Sequence, residues 1–286
     1  MPTREERQKA AKKNISLMKG AFAEETKAAI ESAKIFEDGQ GRDLEIPAAE
    51  SGATTATRVT RSFQTAALSS ATGKTLIVDP CAFTRPGGNY ENGGGGPEQV
   101  ICSESNLYLV LQALNKTYYN NNRNYTAGQL FTDRALYIEG ITFVQDGNVR
   151  KADVLAIAEP NKRRALENNR SEAEANLAIK NRIEAMLRIA AANGTETLIV
   201  NAFGTGPAGY KPKEIVKLFS AWIEAHQGVI PNIVFSAPRA SFDAFKAAFG
   251  EEEKPVESKQ QEQEAEEEEE ELDFDPNDLP EGITFR

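Results

Sequence analysis

Residues 86–99 read Pro86-Gly87-Gly88-Asn89-Tyr90-Glu91-Asn92-Gly93-Gly94-Gly95-Gly96-Pro97-Glu98-Gln99. Six glycines lie within ten residues, and a carboxylate stands at their end. The stretch follows a short apolar run at 75–78 and precedes an apolar pattern typical of a helix. Glycine lets a backbone adopt positive φ and approach a ligand closely, and exposed N–H groups beside a helix N-terminus bind anions. The stretch therefore predicts an anion-binding glycine loop between a strand and a helix.

A second glycine-containing loop lies at 204–209, between an apolar run at 197–201 and a helix pattern that Pro212 opens. Its Gly-x-Gly-x-x-Gly spacing matches the dinucleotide fingerprint, but the next strand does not end in the required carboxylate, which argues against a Rossmann unit. Loops at the carboxyl ends of neighbouring strands converge on one crevice. Flexible surface turns are the alternative, but two loops in equivalent positions favour a diphosphate site.

Strands and helices alternate over most of residues 60–250, which predicts an α/β fold with a largely central mixed sheet. Glu37 to Thr57 is expected to be loop with at most one short strand, and 116–126 an exposed loop. We expect three parts: a helical extension at 1–60 packed on the domain, a core at 61–250, and a disordered acidic tail at 251–286. The predicted helices lie at 15–36, 62–69, 98–114, 172–192, 212–225 and 242–249, and the predicted strands at 75–78, 135–139, 141–145, 154–158, 197–201 and 233–236.

The net charge of −10 hides an uneven distribution. Residues 251–286 hold 16 acidic and 3 basic residues, so the rest of the chain has 27 acidic and 30 basic residues. The slightly basic body suits an anionic ligand, and the acidic tail makes direct nucleic-acid binding unfavourable. Within the tail, 272–280 mixes acidic and apolar residues. It either only solubilises the protein or docks into a basic and apolar groove of a protein partner.

Several protein classes are excluded by composition. No apolar run approaches the roughly 20 residues that span a membrane, and the basic start of the chain is not followed by an apolar signal core. We expect a soluble, intracellular protein, in the cytoplasm or the nucleus. The two cysteines, Cys81 and Cys102, and the single His226 supply no disulfide framework or metal-ligand spacing. No cofactor and no metal are therefore expected, and His226 is assigned a structural or surface role.

Three segments together resemble the signature of microbial-type poly(ADP-ribose) glycohydrolases, which have a macrodomain fold. In that family a strand ends in an Asn-Phe-Ala-like segment, followed by Pro-Gly-Gly-Gly, a spacer, Gln-Glu-Glu and a helix with Ser-x-Leu-Tyr. Residues 79–108 align with this pattern without a gap. Residues 198–206 and 212–219 are similar to the family's Gly-Ala-Trp-Gly-Cys-Gly loop and its helix, and 157–161 to a weaker third motif. The resemblance covers about residues 15–240.

The resemblance implies a macrodomain-like fold with a pocket for ADP-ribose or an ADP-ribosylated macromolecule. In the family, the second Glu of Gln-Glu-Glu is the general acid at the ribosyl bond, and the first Glu contacts the ribose. These two positions are Gln99 and Glu98 here, and both are the candidate catalytic residues. The ligand-binding residues that the resemblance implies are Asp79, Gly87, Gly88, Asn89, Gly95, Gly96, Phe203, Gly204, Thr205, Gly206, Gly209 and Tyr210.

The chain departs from the family pattern where the chemistry takes place. Asn89 replaces the third glycine of Pro-Gly-Gly-Gly, and Pro97-Glu98-Gln99 replaces Gln-Glu-Glu. A neutral amide therefore stands where the family has its general acid, and an amide cannot supply a carboxylic acid with a tuned pKa. In the second loop, Ala208 stands where the family has an aromatic residue, and Tyr210 is close enough to replace it.

Three functions remain open at this point. In the first, Glu98 has taken over the acid role through a loop backbone shifted by Pro97. In the second, the domain binds ADP-ribose without cleaving it and recruits a partner through its tail. In the third, Glu98 or Asp79 acts on another ADP-ribosyl or nucleotide linkage. Glu98 also has a purely structural interpretation, because a glutamate in the first turn of a helix complements the helix dipole.

If the acidic tail competes for the anion site, a chain that ends at residue 250 will bind ADP-ribose more tightly than the full chain. Calorimetry at low ionic strength measures both affinities, because salt screens the competition. Equal affinities would indicate that the tail only solubilises the protein. Absence of ADP-ribose binding by both proteins would contradict the predicted pocket.

Overall fold

The computed structural model describes residues 2–250. The predicted disordered tail at 251–286, with the partner-docking segment at 272–280, lies outside these described residues. Within them, a seven-stranded sheet has the order β1-β4-β5-β3-β6-β7-β2. Its strands are Lys34–Phe36 (β1), Ala56–Thr60 (β2), Thr75–Asp79 (β3), Ala135–Gln145 (β4), Asn148–Ile157 (β5), Thr197–Asn201 (β6) and Asn232–Ser236 (β7).

The sheet is mixed, as the predicted α/β class requires. Strands β5, β3, β6, β7 and β2 run parallel to one another, whereas β4 is antiparallel to both β1 and β5. The loops that follow the five parallel strands therefore leave the sheet at one edge, where α/β proteins bind ligands. We call this edge the carboxyl edge.

Helices cover both faces of the sheet. In β3, Leu76 and Val78 belong to one buried apolar cluster and Ile77 to the other, because successive strand residues point to opposite faces. The helices are Arg4–Ala21 (α1), Ala23–Ser32 (α2), Gln64–Ala67 (α3), Pro97–Ser103 (α4), Leu107–Ala113 (α5), Asn120–Asn122 (α6), Lys162–Glu167 (α7), Glu172–Ala192 (α8), Pro212–Ala225 (α9) and Arg239–Phe249 (α10). Helices α8, α9 and α10 pack on the first cluster, and α1 to α5 on the second.

The longest helices confirm the sequence prediction. Helix α8 has the predicted bounds, and Ser171 and Glu174 form a capping box at its start. Helix α9 begins at Pro212, as predicted, because the missing N–H of proline has no intrahelical partner at that position. Local caps and breakers therefore set these boundaries.

The predicted continuous helix at 15–36 is wrong. The chain forms α1 and α2, which meet at Phe22 with its backbone at φ −127° and ψ 35°. Residues 34–36 then pair with residues 135–137 of β4 as an edge strand. The apolar spacing of this segment is compatible with a helix, but its last three residues form a strand because they pair with β4, which is distant in sequence.

Three other predictions are also wrong in part. The predicted strands at 135–139 and 141–145 are one strand with an irregularity near Gly140, which has φ +68°. The predicted exposed loop at 116–126 consists of short helical turns in which Tyr118 and Tyr119 are fully buried. The predicted helix at 98–114 is split into α4 and α5.

The first 60 residues supply both edge strands of the sheet. Strand β1 pairs with β4, and β2 pairs with β7 along residues 56–60. The division of the chain at residues 60 and 250 stays a prediction.

The start of α1 lies against the glycine loop. The Nε–H of Arg4 donates to the carbonyl of Asn92 at 3.0 Å, and that of Arg7 donates to the carbonyl of Gly93 at 2.9 Å. Gly93 has φ +78°, and a Cβ at this position would lie 2.2 Å from the carbonyl oxygen of Arg4. The helix and the loop are therefore in direct backbone contact.

Gly93→Ala should lower the free energy of unfolding by about 2–4 kcal/mol, because the new side chain meets both left-handed strain and the backbone of α1. Gly140→Ala is the matched control: its φ is +68°, but nothing lies within 4 Å of the added Cβ. It should cost only the strain, about 1–2 kcal/mol. Urea denaturation measures the free energy of unfolding of both variants. Equal losses would show that α1 moves away from the new side chain at no cost in stability.

Candidate functional site

Both glycine loops leave the sheet at the carboxyl edge. Strand β3 ends at Asp79 and β6 ends at Asn201, and the two strands are hydrogen-bonded neighbours. The loop at 86–96 follows β3, and the loop at 204–209 follows β6. The two predicted loops therefore start at adjacent positions, because neighbouring parallel strands have their carboxyl ends side by side.

Glu98 lies in the first turn of α4 and is only 4% exposed. Its Oε2 accepts a hydrogen bond from the backbone N–H of Ala82 at 3.0 Å, whereas its Oε1 has no partner among the described residues. Burial raises the pKa of the Glu98 carboxyl well above its ordinary value, and the nearby Asp79 carboxyl raises this pKa further. Glu98 is therefore an acid that holds its proton more strongly than a solvated glutamate.

Asp79 ends β3 and is fully buried, with no hydrogen-bond partner for either carboxyl oxygen among the described residues. Burial raises the pKa of Asp79 from 3.8 to about 8. A carboxyl without compensating hydrogen bonds favours its neutral form. Asp79 and Glu98 therefore form a pair of buried acids at the base of the glycine loop.

The backbone of Gly88 lies against the side chains of Glu98 and Gln99. Its φ is +53°, and a Cβ there would come within 2.9 Å of Glu98 Oε2 and 2.7 Å of Gln99 Nε2. Only glycine fits this position without displacing one of the two side chains. The neighbouring Asn89, which replaces a family glycine, accepts a hydrogen bond from the Arg85 guanidinium at 2.7 Å.

Gln99 connects the two ends of the glycine loop. Its Nε2 donates to the carbonyl of Gly87 at 3.2 Å, and its Oε1 accepts from the N–H of Gly96 at 2.9 Å. Gly96 is the residue that caps α4. A glutamate at position 99 could not donate to Gly87, because an ionised carboxylate only accepts hydrogen bonds. Gly95 lies in the same part of the loop, close to the Arg7 guanidinium.

The loop after β6 is held by Glu159, a residue absent from the predicted site. One carboxylate oxygen of Glu159 accepts hydrogen bonds from the N–H of Gly204 at 2.9 Å and from Nδ2 of Asn201 at 3.0 Å. Burial raises the pKa of Glu159, and both hydrogen bonds oppose that shift. Its position directly after β5, at the carboxyl edge, is the signal that could have identified it.

Of the other predicted residues in this loop, Thr205 and Gly209 pack against neighbouring segments, whereas Gly206 faces open space. The Thr205 hydroxyl is buried and accepts from Ser241 at 3.0 Å, and Gly206 has open space where a side chain would be. Gly209 packs on the backbone of Arg163.

Two aromatic residues predicted for the site belong to the core. Phe203 is fully buried, and Tyr210 is 3% exposed and donates its hydroxyl proton to the carbonyl of Ala175 at 2.8 Å. Their rings stabilise the base of the loop. A role for Tyr210 against the ligand, like the roles of all the predicted site residues, stays a prediction.

Buried Arg182 of α8 is a further residue that the sequence did not reveal. It is 1% exposed, and its guanidinium donates to the carbonyls of Ala158 and Leu130. Ala158 directly precedes Glu159, and Leu130 lies in the segment before β4. The arginine thus positions two loops at the carboxyl edge, but no sequence signal separates it from Arg188, the half-buried second arginine of the same helix.

Comparisons with known proteins agree with this architecture. The family model of the microbial-type PARG catalytic domain matches residues 5–146, about half of the chain. Poly(ADP-ribose) glycohydrolase from Thermomonospora curvata has a TM-score of 0.73 at 21% identity, covering 85% of this chain and 99% of that one. Its complex with the inhibitor ADP-HPD gives 0.72 at 19% identity, with 84% and 98% covered.

The Deinococcus radiodurans poly(ADP-ribose) glycohydrolase, in complex with ADP-ribose, gives a TM-score of 0.69 at 20% identity, covering 78% of this chain and 96% of that one. No curated protein sequence matches the chain. These likenesses confirm the macrodomain-like α/β fold.

The described part of the chain lacks two kinds of feature, a membrane-spanning helix and a cluster of metal ligands. No helix within 2–250 is long and apolar enough to cross a membrane. The same residues contain no group of three or more His, Cys, Asp or Glu side chains that could hold a metal ion.

Asp79→Asn should flatten the dependence of stability on pH. Because the pKa of Asp79 is about 8 in the folded protein and lower in the unfolded chain, folding binds a proton and stability falls as pH rises from about 4 to about 8. Glu98, whose pKa is also raised, contributes a slope of the same sign.

Urea denaturation from pH 4.5 to pH 8 should show that Asp79→Asn removes on the order of 4 kcal/mol of this loss. Exposed Asp43→Asn is the control and should follow the unmodified protein. A curve for Asp79→Asn parallel to that control would contradict the buried acid pair.

Proposed function

The chain belongs to the microbial-type poly(ADP-ribose) glycohydrolase family, and from this premise we propose that it binds ADP-ribose at the carboxyl edge and hydrolyses an ADP-ribosyl glycosidic bond with Glu98 as the acid. The complexes of relatives with ADP-ribose and with the inhibitor ADP-HPD support the ligand class. In this proposal the loop at 204–209 holds the diphosphate, and the glycine loop at 86–96 lies by the ribose.

One observation carries the catalytic part: the Glu98 carboxyl is buried beside a second carboxyl, and its pKa is raised. A general acid must keep its proton at neutral pH until the leaving group needs it. Placing a glutamate in an apolar site next to another acid is a known way to achieve this. The Ala82 N–H orients the carboxyl by binding Oε2, while Oε1 remains without a described partner.

The chemistry follows from these contacts. Glycoside cleavage passes through an oxocarbenium-like state, and protonation of the leaving oxygen assists the departure of that group. Protonated Glu98 supplies that proton, and the resulting carboxylate then accepts a proton from the water that attacks the sugar carbon. Asp79 disfavours the charged form of Glu98 and so keeps the acid protonated before the reaction.

A second candidate function is binding without hydrolysis, and Gln99 favours it. The family's general acid position is occupied here by an amide whose two polar ends both bind the glycine loop. Such a residue stabilises the pocket and supplies no proton. In this alternative Glu98 only contacts the ribose, as the first glutamate of the family motif does, and the protein reads or sequesters the modification.

Glu98→Gln separates the two functions. If Glu98 is the acid, the variant should lose about 10²–10⁴-fold in kcat, the usual contribution of general acid–base catalysis. ADP-ribose affinity should change little, because the amide keeps the size of the side chain and an acceptor for the Ala82 N–H. Release of ADP-ribose from a modified substrate gives kcat, and calorimetry gives the affinity.

The matched control is Glu91→Gln, an exposed glutamate of the same loop, which should retain full activity. Tight binding of ADP-ribose without any turnover by the unmodified chain would support the reader function. Turnover that survives in Glu98→Gln would exclude Glu98 as the acid.

A further inference from the structure

Helix α1 contacts the segment that carries Glu98 on both sides of this residue. Before it in sequence, the Nε–H of Arg7 donates to the carbonyl of Gly93 at 2.9 Å. After it, the side-chain amide of Asn14, two turns further along α1, donates to the carbonyl of Cys102 in α4 at 3.0 Å. The N-terminal helix therefore spans the last part of the glycine loop and the helix of the candidate acid.

The half-buried Arg7 guanidinium lies against the four consecutive glycines at 93–96, which we call the glycine run. Its Nη1 donates to the carbonyl of Pro2 at 2.8 Å, which fixes the side chain to the start of its own helix. A Cβ at Gly95 would lie 3.5 Å from the Arg7 Cζ, so the guanidinium is beside the backbone of Gly95 as well as bonded to Gly93.

Three of the four backbone amides in the glycine run are already paired. Their acceptors are the carbonyls of Tyr90 and Asn89 and the side chain of Gln99. The fourth N–H, that of Gly95, has no hydrogen-bond partner within residues 2–250. A free N–H in a half-buried glycine loop is a donor that a ligand oxygen can use. Gly95 is therefore the residue of the glycine run that is left for a ligand, and Arg7 lies beside it.

The glycine run is held at its two ends. Arg7 binds the carbonyl of Gly93, and Gln99 binds the N–H of Gly96. Between these contacts no side chain of the run itself can fix the backbone, and glycine loses more conformational freedom on ordering than any other residue. The place of the free Gly95 N–H therefore depends on both contacts, one of which comes from α1.

We propose that Arg7 is a positioning residue of the ligand site: it fixes the glycine run so that the Gly95 N–H donates to an oxygen of bound ADP-ribose. Arg7 acts through the loop and not on the ligand itself. The contact exists before and during the reaction, so its loss weakens binding and leaves the proton transfer by Glu98 unaffected. This inference rests on the proposed function, since it gives α1 a part in the same site.

Arg7→Ala tests this role in the full-length chain. Calorimetry should show ADP-ribose binding weakened about three- to tenfold, the usual value of one hydrogen bond. Release of ADP-ribose from a modified substrate should show KM raised by a similar factor and kcat nearly unchanged, the opposite of the effect expected for Glu98→Gln. Arg7→Lys should restore part of the affinity, because its ammonium group can still donate to the Gly93 carbonyl.

Hydrogen exchange without ligand measures the loop directly. Arg7→Ala should speed exchange of the three paired amides in the glycine run, whereas amides in β3 and α8 should keep the rates of the unmodified chain, because only a local opening becomes easier. A general loss of stability would speed exchange in β3 and α8 as well, and that result would overturn the positioning role.

Lys9→Ala is the matched control, because it removes the same charge from an exposed position of the same helix. It should change neither loop exchange nor ADP-ribose affinity. The inference is overturned if Arg7→Ala leaves loop exchange or affinity unchanged, if it lowers kcat and not the affinity, or if Lys9→Ala weakens binding equally. Failure of the unmodified chain to bind ADP-ribose, with loop exchange still dependent on Arg7, would overturn the proposed function and leave Arg7 as the residue that fixes the loop.

Discussion

The side-chain amide of Gln99 closes the glycine loop, and the site depends on this closure. The amide joins the carbonyl of Gly87 to the N–H of Gly96 and thereby fixes the loop where it enters α4. An amide can do this because it has a donor and an acceptor at one end of a short side chain. Gln99, one of the two residues that depart from the family's Gln-Glu-Glu motif, is therefore a structural connector of the loop.

The closure has a consequence for Glu98. With the loop backbone fixed, its carboxyl is held between the Ala82 N–H and the glycine backbone, away from water. Burying an ionised carboxylate is costly, and proteins usually avoid the cost by keeping the group neutral. Asp79 faces the same constraint at the end of β3. The raised pKa of each acid follows from its burial at this junction, and a retained proton is what glycoside cleavage requires.

The N-terminal segment is part of this arrangement. Arg4 and Arg7 bind carbonyls of the glycine loop, and strands β1 and β2 close the two edges of the sheet. Loop geometry at the carboxyl edge is therefore coupled to residues far away in sequence. Helix α5 supports the same backbone, because the Tyr108 ring packs against Gly87 and its hydroxyl accepts a hydrogen bond from Gln112.

Local patterns in the sequence determined the α/β class, helices α8 and α9, the strands that precede both glycine loops, and the family resemblance. These features depend on neighbouring residues: apolar periodicity, caps and the spacing of glycines. The sequence alone did not show that residues 34–36 form a strand, that 116–126 is helical and buries Tyr118 and Tyr119, or that Glu159 and Arg182 hold the site. Those outcomes depend on contacts across tens of residues. The tertiary structure also decided the environment of Glu98 and Gln99, because burial and hydrogen-bond partners, and hence the pKa of an acid, exist only once the chain has packed.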